Sequence, residues 1–187
     1  MLGQMSDLFP EETAILGRIL AGYTELEFSL LCCIEAAHGD LDTPLKIMFR
    51  TRGETQRLEI GDAIGRKKFH ELSINTDFEM AIGAMHHCLK IRNQYSHCHW
   101  YLSAKTLIFV DLEEAAKKHT AITVTTSFTT HVLTLELLKQ QEAYFDYAAG
   151  YLYWLDQEAN AKRGTIKKND YPKPKQLARP PLYTLPG

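Results

Sequence analysis

Three polar side chains near the middle of the sequence have the types and spacing that acid–base chemistry on an anionic group requires. They are Arg92, Asn93 and His97. An imidazole transfers protons near neutral pH, and a guanidinium stabilises the negative charge that accumulates on phosphate oxygens. Asn93 and His97 are four residues apart, so on a helix they share a face and the amide can orient the imidazole. The motif combines a cation, an orienting group and a titratable base.

A predicted helix positions this motif. It begins at 75–77, and its apolar stripe advances by four, three and four residues through Phe78, Ile82, Met85 and Leu89. Continued, the stripe reaches Arg92 and Ser96. An arginine aimed at a core is costly unless it is paired or lines a groove, because the guanidinium keeps its charge. Residues five apart also diverge by about 140° on an ideal helix, so Arg92 and His97 of one chain do not make a compact site.

The run from Arg92 to His97, Arg-Asn-Gln-Tyr-Ser-His, resembles the motif of the HEPN superfamily, in which Arg, a polar residue and three variable residues precede His. The context is similar as well, with a long helix before the motif and another after it. The resemblance implies a metal-independent RNA endonuclease without a cofactor, in which the ribose 2′-hydroxyl attacks the adjacent phosphate and Arg92, Asn93 and His97 are catalytic. It also implies a homodimer whose motifs face each other across a shared cleft. A toxin–antitoxin or phage-defence setting follows, with an antitoxin or defence-system protein as partner.

Two other interpretations of the motif remain open. A HEPN-like interaction module would bind a protein or nucleotide partner and cleave nothing. An unrelated helical bundle would bind a ligand of another kind. In that case Arg92 pairs with a buried acid, and His97 caps the helix C-terminus, where the helix dipole favours a cation.

Residues that flank the motif are candidates for substrate binding: Lys90, His99 and Trp100. Trp100 would stack on a base, although an aromatic residue that leads into a strand is more often part of a core. Several neighbouring side chains are also potential zinc ligands: His86, His87, Cys88, His97, Cys98 and His99. We expect no metal site, because ten residues of continuous helix separate His87 from His97 by about 15 Å.

The remaining pattern predicts a mainly α fold, a bundle of four to five helices with a small β-hairpin or three-strand insertion before the last long helix. Helical spacing extends over 10–37, two shorter helices follow Asp42, and the last helix covers about 129–162. β-Branched and aromatic residues over about 99–127 predict the insertion, with strands near 100–102, 106–110 and 121–126. Residues 1–161 form the predicted helical domain, and 162–187 form a basic, Pro-containing extended tail.

Charge excludes a broad basic face of the kind that coats nucleic acids. The net charge is −2, but the tail from Lys162 onward has seven basic residues against Asp170, so the tail carries +6 and the body −8. Any RNA contact is therefore expected to be local and sensitive to salt. The chain has no apolar run of membrane-spanning length and no signal-peptide pattern, so we expect a cytoplasmic protein without a membrane partner.

Overall fold

A computed structural model of the chain describes residues 2–103, 106–118 and 128–184. Within these residues it contains seven helices and one three-stranded antiparallel sheet. In chain order the elements are α1 (Leu2–Leu8), α2 (Pro10–His38), α3 (Asp42–Arg50), α4 (Glu54–Glu71), α5 (Asn75–Ser96), β1 (Cys98–Ser103), β2 (Thr106–Asp111), α6 (Leu112–Lys118), β3 (His131–Leu133) and α7 (Leu135–Arg163). The predicted mainly α fold with a small β insertion before the last long helix is confirmed. None of the described helices is long and apolar enough to span a membrane.

The long helix α2 has clear signals at both ends. Pro10 stands at its first position, where the missing N–H costs nothing, and Glu11 and Glu12 lie in the first turn, where the helix dipole favours anions. After His38 the chain turns at Gly39, which has a φ of +76° that favours glycine. The predicted extent of 10–37 is therefore correct to within one residue.

Two glycines inside α4 are required by close packing. Glycine weakens a helix interior, yet α4 contains both Gly61 and Gly65. A Cβ at Gly61 would lie 2.7 Å from Cδ2 of Leu30, and a Cβ at Gly65 would overlap the ring of Phe78. That ring is itself stacked on Phe69, with 4.2 Å between the ring centroids. The two glycines thus let α4 pack closely against α2 and α5.

The insertion consists of β1, β2, α6 and β3. β1 pairs antiparallel with β2, and β2 pairs antiparallel with β3, where Phe109 lies opposite His131. Asp111 ends β2, and its Oδ1 accepts a hydrogen bond of 2.9 Å from the Glu114 amide in the first turn of α6. Helix α6 was not predicted from the sequence. The strand predicted at 121–126 lies outside the described residues.

The predicted start of the last helix at about 129 is wrong. His131–Leu133 forms β3, which pairs with β2, and α7 begins only at Leu135. The side chain of Thr134 caps the helix, because its Oγ1 accepts a hydrogen bond of 3.2 Å from the Leu137 amide. The start of α7 depends on the pairing of β3 with β2, which is distant in sequence, so local helical spacing does not predict it.

The chain divides into two compact units, of which the first comprises Met1–Ala21, Lys90–Ala143 and Pro180–Gly187, and the second Gly22–Leu89 and Tyr144–Arg179. Fully or almost fully buried side chains form the core of the first unit, among them Ile15, Ile91, Tyr95, Phe109 and Leu138. The core of the second unit includes Leu30, Ile34, Met48, Phe69 and Leu155. The 92–97 motif belongs to the first unit.

The tail is extended and held by specific contacts. Residues 164–184 contain no helix or strand. In the second unit, the Lys173 ammonium forms an ion pair with Asp77 and lies 5.1 Å from the ring centroid of Trp154. In the first unit, Pro180 is buried and the Leu182 carbonyl accepts hydrogen bonds from two glutamine side chains. The tail therefore contributes to the packing of residues distant in sequence.

Candidate active site

The C-terminal end of α5 carries the motif. The helix ends at Ser96, but the His97 amide still donates to the Asn93 carbonyl at 3.1 Å, so helical spacing extends to His97. One face of this helix end carries four side chains at intervals of three, one and three residues: Lys90, Asn93, Gln94 and His97. Arg92 lies on another side, at about 140° from His97 by helical geometry.

Arg92 is held at the surface by two polar neighbours. Its Nη1 donates to Oδ1 of Asn93 at 3.1 Å and to Oγ of Ser96 at 3.5 Å. Arg92 is half-buried and Ser96 is exposed, so the expectation that the apolar stripe aims Arg92 at the core is wrong. The buried side of this part of α5 is that of Ile91 and Tyr95. Asn93 turns its amide oxygen to the guanidinium, which fixes the position of the cation.

The His97 imidazole faces a carboxylate of α6. Its Nε2 lies 3.8 Å from Oε1 of Glu113, and both side chains are half-exposed. The Lys117 ammonium donates to the other carboxylate oxygen of Glu113 at 3.3 Å. The Glu113 carboxylate thus competes with any anion that approaches the imidazole. No role at this site was predicted for Glu113, because nothing local in the chain joins it to the motif.

The three predicted substrate-binding residues are not on one surface. Lys90 is exposed on the face of α5 that carries Asn93. On β1, the side chains of His99 and Trp100 point to opposite faces of the sheet, as neighbouring strand residues do. Trp100 is half-buried and packs on Phe109, with 5.4 Å between the ring centroids, whereas His99 is exposed. Of these three side chains, only Lys90 joins the motif face.

A cavity of about 420 Å³ opens beside this face. Its lining comes from α5, from the β2–α6 junction and from the tail: Lys90, Asn93, Gln94, Asp111, Glu113, Glu114, Lys117, Leu182 and Tyr183. Three carboxylates and two lysines therefore surround it, together with two amides and a phenol. Most of these side chains were missed by sequence reasoning, since only the fold assembles them.

A histidine outside the motif packs against two residues of this lining. The ring of His131 stacks on Tyr183 with 4.0 Å between the ring centroids, and its Nε2 lies 3.2 Å from Oε2 of Glu114. The Tyr183 hydroxyl donates to Oδ2 of Asp111 at 3.2 Å. Burial raises the pKa of Tyr183, and the carboxylates of Asp111 and Glu114 raise it further. The phenol is therefore protonated at neutral pH, where it donates a hydrogen bond and cannot act as a base.

Comparison with known proteins gives no match. Neither the family models, nor the characterised proteins, nor the solved structures contain one that resembles this chain. Its function is therefore inferred from the side chains and their geometry.

The side chains that raised the question of zinc are placed apart. Among residues 2–103, 106–118 and 128–184, no group of three or more His, Cys, Asp or Glu is arranged to hold a metal ion. Burial raises the pKa of the Cys98 thiol to about 12, and its Sγ donates to the Tyr95 carbonyl at 3.2 Å. A thiol in that state is a poor metal ligand, because the thiolate is the binding form.

Proposed function

We propose that this protein is a metal-independent RNA endonuclease of the HEPN type that acts as a homodimer. One observation carries the proposal: the accessible end of α5 bears a guanidinium fixed by an amide, Arg92 on Asn93 at 3.1 Å, and a half-exposed imidazole, His97. These are the groups that cleavage by an internal ribose hydroxyl needs. A requirement for the 2′-hydroxyl restricts the substrate to RNA.

The proposed reaction forms one bond and breaks one. The ribose O2′ attacks the adjacent phosphorus while a neutral His97 accepts the hydroxyl proton. The bond from phosphorus to O5′ then breaks, and a protonated imidazole returns a proton to O5′. The products are a 2′,3′-cyclic phosphate and a free 5′-hydroxyl. Arg92 stabilises the negative charge that builds up on the phosphate oxygens.

We propose a homodimer because a single copy of the chain does not present Arg92 and His97 to the same phosphate. Arg92 and His97 lie on different sides of α5, so one copy offers either the cation or the imidazole to a given phosphate. A two-fold axis beside the helix end brings Arg92 of one copy towards His97 of the other at two equivalent sites, and at each site the imidazole acts first as base and then as acid. A small cationic cleft of this kind is compatible with a body of charge −8. We propose a toxin–antitoxin or phage-defence role, with an antitoxin or defence-system protein as the regulatory partner.

Cleavage of RNA in excess EDTA tests this proposal. Single-stranded and structured RNAs are incubated with the parent protein and with Arg92→Ala and His97→Ala. We expect each substitution to slow cleavage by about a hundredfold or more, because each removes a group that acts in the transition state. Arg50→Ala and His70→Ala, which change exposed residues of α3 and α4, are matched controls that keep full activity. Activity that survives both motif substitutions, or that EDTA abolishes, contradicts the proposal.

The second candidate is a HEPN-like interaction module that binds a protein or nucleotide partner and does not cleave. The carboxylate of Glu113, 3.8 Å from His97, favours it, since Glu113 with its neighbours Asp111 and Glu114 repels a phosphate chain. The same RNA assay separates the two candidates. If the protein is a homogeneous dimer and leaves every RNA intact across the tested salt range, the result supports the interaction module and contradicts the endonuclease proposal.

A further inference from the structure

The cavity beside the motif is lined by both hydrogen-bond acceptors and hydrogen-bond donors. Its wall on the β2–α6 side consists of acceptors, the carboxylates of Asp111, Glu113 and Glu114. Lys90 and Lys117 add donors. With a volume of about 420 Å³ it is large enough for a nucleotide and falls in the usual range of small-molecule sites.

A buried acceptor in this wall lacks a donor among the described residues. Gln94 is 4% exposed, and its Nε2 donates to the Leu182 carbonyl at 2.8 Å. Its Oε1 has no hydrogen-bond partner. A buried carbonyl without a donor is costly, so an N–H group that reaches this wall gains a favourable interaction.

Glu113 is the carboxylate of this wall that is most accessible to a ligand. Both oxygens of Asp111 already accept hydrogen bonds, from the Glu114 amide and the Tyr183 hydroxyl. Oε2 of Glu114 faces His131 at 3.2 Å. Glu113 is half-exposed, and its neighbours are the exposed ends of Lys117 and His97. Water and ligand reach Glu113 more readily than the other two.

Many ligands can donate hydrogen bonds to a carboxylate, and the other groups that line the cavity narrow this choice of ligand. Lys90 and Lys117 line the same cavity as the three carboxylates, so a ligand that offers acceptors as well as donors matches it better than a purely cationic amine does. Tyr183 offers an aromatic surface that is held in place by its stacking on His131. A flat, neutral ring with two adjacent N–H donors and a nearby acceptor satisfies all of them. Guanine has this pattern, with N1–H and the 2-amino group on one edge and O6 and N7 as acceptors.

We propose that the cavity binds a guanine base of a single-stranded RNA, with Glu113 accepting from N1–H and the 2-amino group, a lysine at O6 or N7, and the ring packed on Tyr183. This inference rests on the proposed ribonuclease function and specifies its substrate. It places the guanosine next to the face of α5 that carries Asn93 and His97. Cleavage is then expected beside guanosine.

Nucleotide binding tests the pocket without any cleavage. Calorimetry in EDTA compares guanosine 3′-monophosphate with the inosine and adenosine 3′-monophosphates. We expect the guanosine nucleotide to bind at least about tenfold more tightly than the inosine nucleotide, which lacks the 2-amino group. The difference in affinity between the guanosine and adenosine nucleotides should be larger than this. Glu113→Gln lowers guanosine binding by about tenfold or more and removes its advantage over inosine. The matched control Glu136→Gln, an exposed glutamate of α7, leaves both affinities unchanged.

A second pair of variants guards against misfolding. Tyr183→Phe keeps the ring and loses the hydrogen bond to Asp111, whereas Tyr183→Ala loses both. Binding retained within about threefold by Phe, and lost with Ala, supports the ring as the packing surface. Equal affinity for the three nucleotides, no binding, or guanosine binding that Glu113→Gln leaves unchanged overturns the inference.

Cleavage mapping separates this inference from the function on which it rests. The RNA is a uridine tract with one guanosine. If cleavage is spread evenly over the tract and calorimetry detects no nucleotide binding, the guanine pocket is overturned but the proposed ribonuclease function is supported. Guanosine binding that depends on Glu113 in a protein that cleaves no RNA retains the pocket and overturns the nuclease.

Discussion

The side-chain amide of Gln94 donates a hydrogen bond of 2.8 Å to the backbone carbonyl of Leu182. Gln94 stands inside the motif, and Leu182 lies 88 residues further along the chain. Gln141 of α7 donates to the Leu182 carbonyl at 3.3 Å and to the Pro181 carbonyl at 2.9 Å, and it accepts from the Tyr95 hydroxyl at 2.6 Å. Two buried glutamines therefore attach the tail to the helix that carries the motif.

Substitution of Gln141 by leucine is expected to release this part of the tail. It leaves the buried Tyr95 hydroxyl without its acceptor and removes one donor from the Leu182 carbonyl, at a cost of about 1–3 kcal/mol for each buried group left unpaired. Hydrogen exchange of the amides of residues 182–184 should rise more than that of α7, and urea denaturation gives the free energy of unfolding. Gln140→Leu, at an exposed neighbouring position, is the control. Unchanged exchange at 182–184 contradicts the anchoring role.

Mixing two inactive variants is expected to restore activity if the site is composite. Arg92→Ala lacks the cation and His97→Ala lacks the imidazole, so neither homodimer has a complete site. In a mixed dimer, Arg92 of one copy meets His97 of the other once, so about a quarter of the parent activity should return after subunit exchange. The measurement is the rate of RNA cleavage before and after exchange. If activity stays at the level of the single variants, each site lies within one chain.

The ion pair between Arg57 and Glu27 is expected to dominate the electrostatic contribution to stability in the second unit. Arg57 donates from Nε and Nη2 to the two carboxylate oxygens at 2.8 and 3.0 Å, and Glu27 is only 2% exposed. Arg57→Leu leaves a buried charge unpaired and should lower the free energy of unfolding by about 3–5 kcal/mol. Adding Glu27→Gln should recover part of that loss.

Urea denaturation of the single and double variants measures both effects. Arg66→Leu on the same helix is the control, since its ion pair with Asp62 is exposed on the arginine side and its loss should change little. A cost of Arg57→Leu no greater than that of Arg66→Leu is incompatible with a structural role for the buried pair.

Asp156 of α7 should make the protein less stable as the pH rises. Burial raises the pKa of Asp156, chiefly by desolvation of its carboxylate, and the charge of Glu35 adds to this. Between the ordinary pKa and the raised one, the folded state binds more protons than the unfolded state, so the free energy of unfolding falls as pH increases. The stabilising contribution of the protonated carboxyl is complete below the ordinary pKa and is lost as the pH rises through the raised pKa.

The variant Asp156→Asn removes this dependence. Its melting temperature should exceed that of the parent at a pH above the raised pKa and approach it below the ordinary pKa of an aspartate. Asp146→Asn, at an exposed position of the same helix, is the matched control. A difference between parent and Asp156→Asn that is constant across this pH range argues against a titrating carboxylate.

Local patterns predicted the helices because each depends on neighbouring residues. The stripe that begins at Phe78 identified α5, and Pro10 identified the start of α2. The stripe failed at Arg92 because the buried side of α5 changes to that of Ile91 and Tyr95. No count of periodicity along one helix reports which of its sides meets other elements near its end.

The cavity depends on pairings across the chain, and its assembly was therefore not predictable from local sequence. Glu113 reaches the motif face through a helix that follows β2, and Tyr183 reaches His131 from the tail. The unpredicted β3 positions His131, since that strand forms only by pairing with β2. Lys90, Asn93 and Gln94 thus form one wall of the cavity, and the fold supplies the others.

The attachment of Leu182 to Gln94 also orders events during translation. Helix α5 and its motif leave the ribosome long before residues 180–184 do, and chains begin to fold from the N-terminal side as they emerge. Synthesis has to reach Tyr183 before the cavity beside Asn93 has all of its walls. A nascent chain therefore contains the 92–97 motif well before it contains the tail residues that complete the cavity beside it.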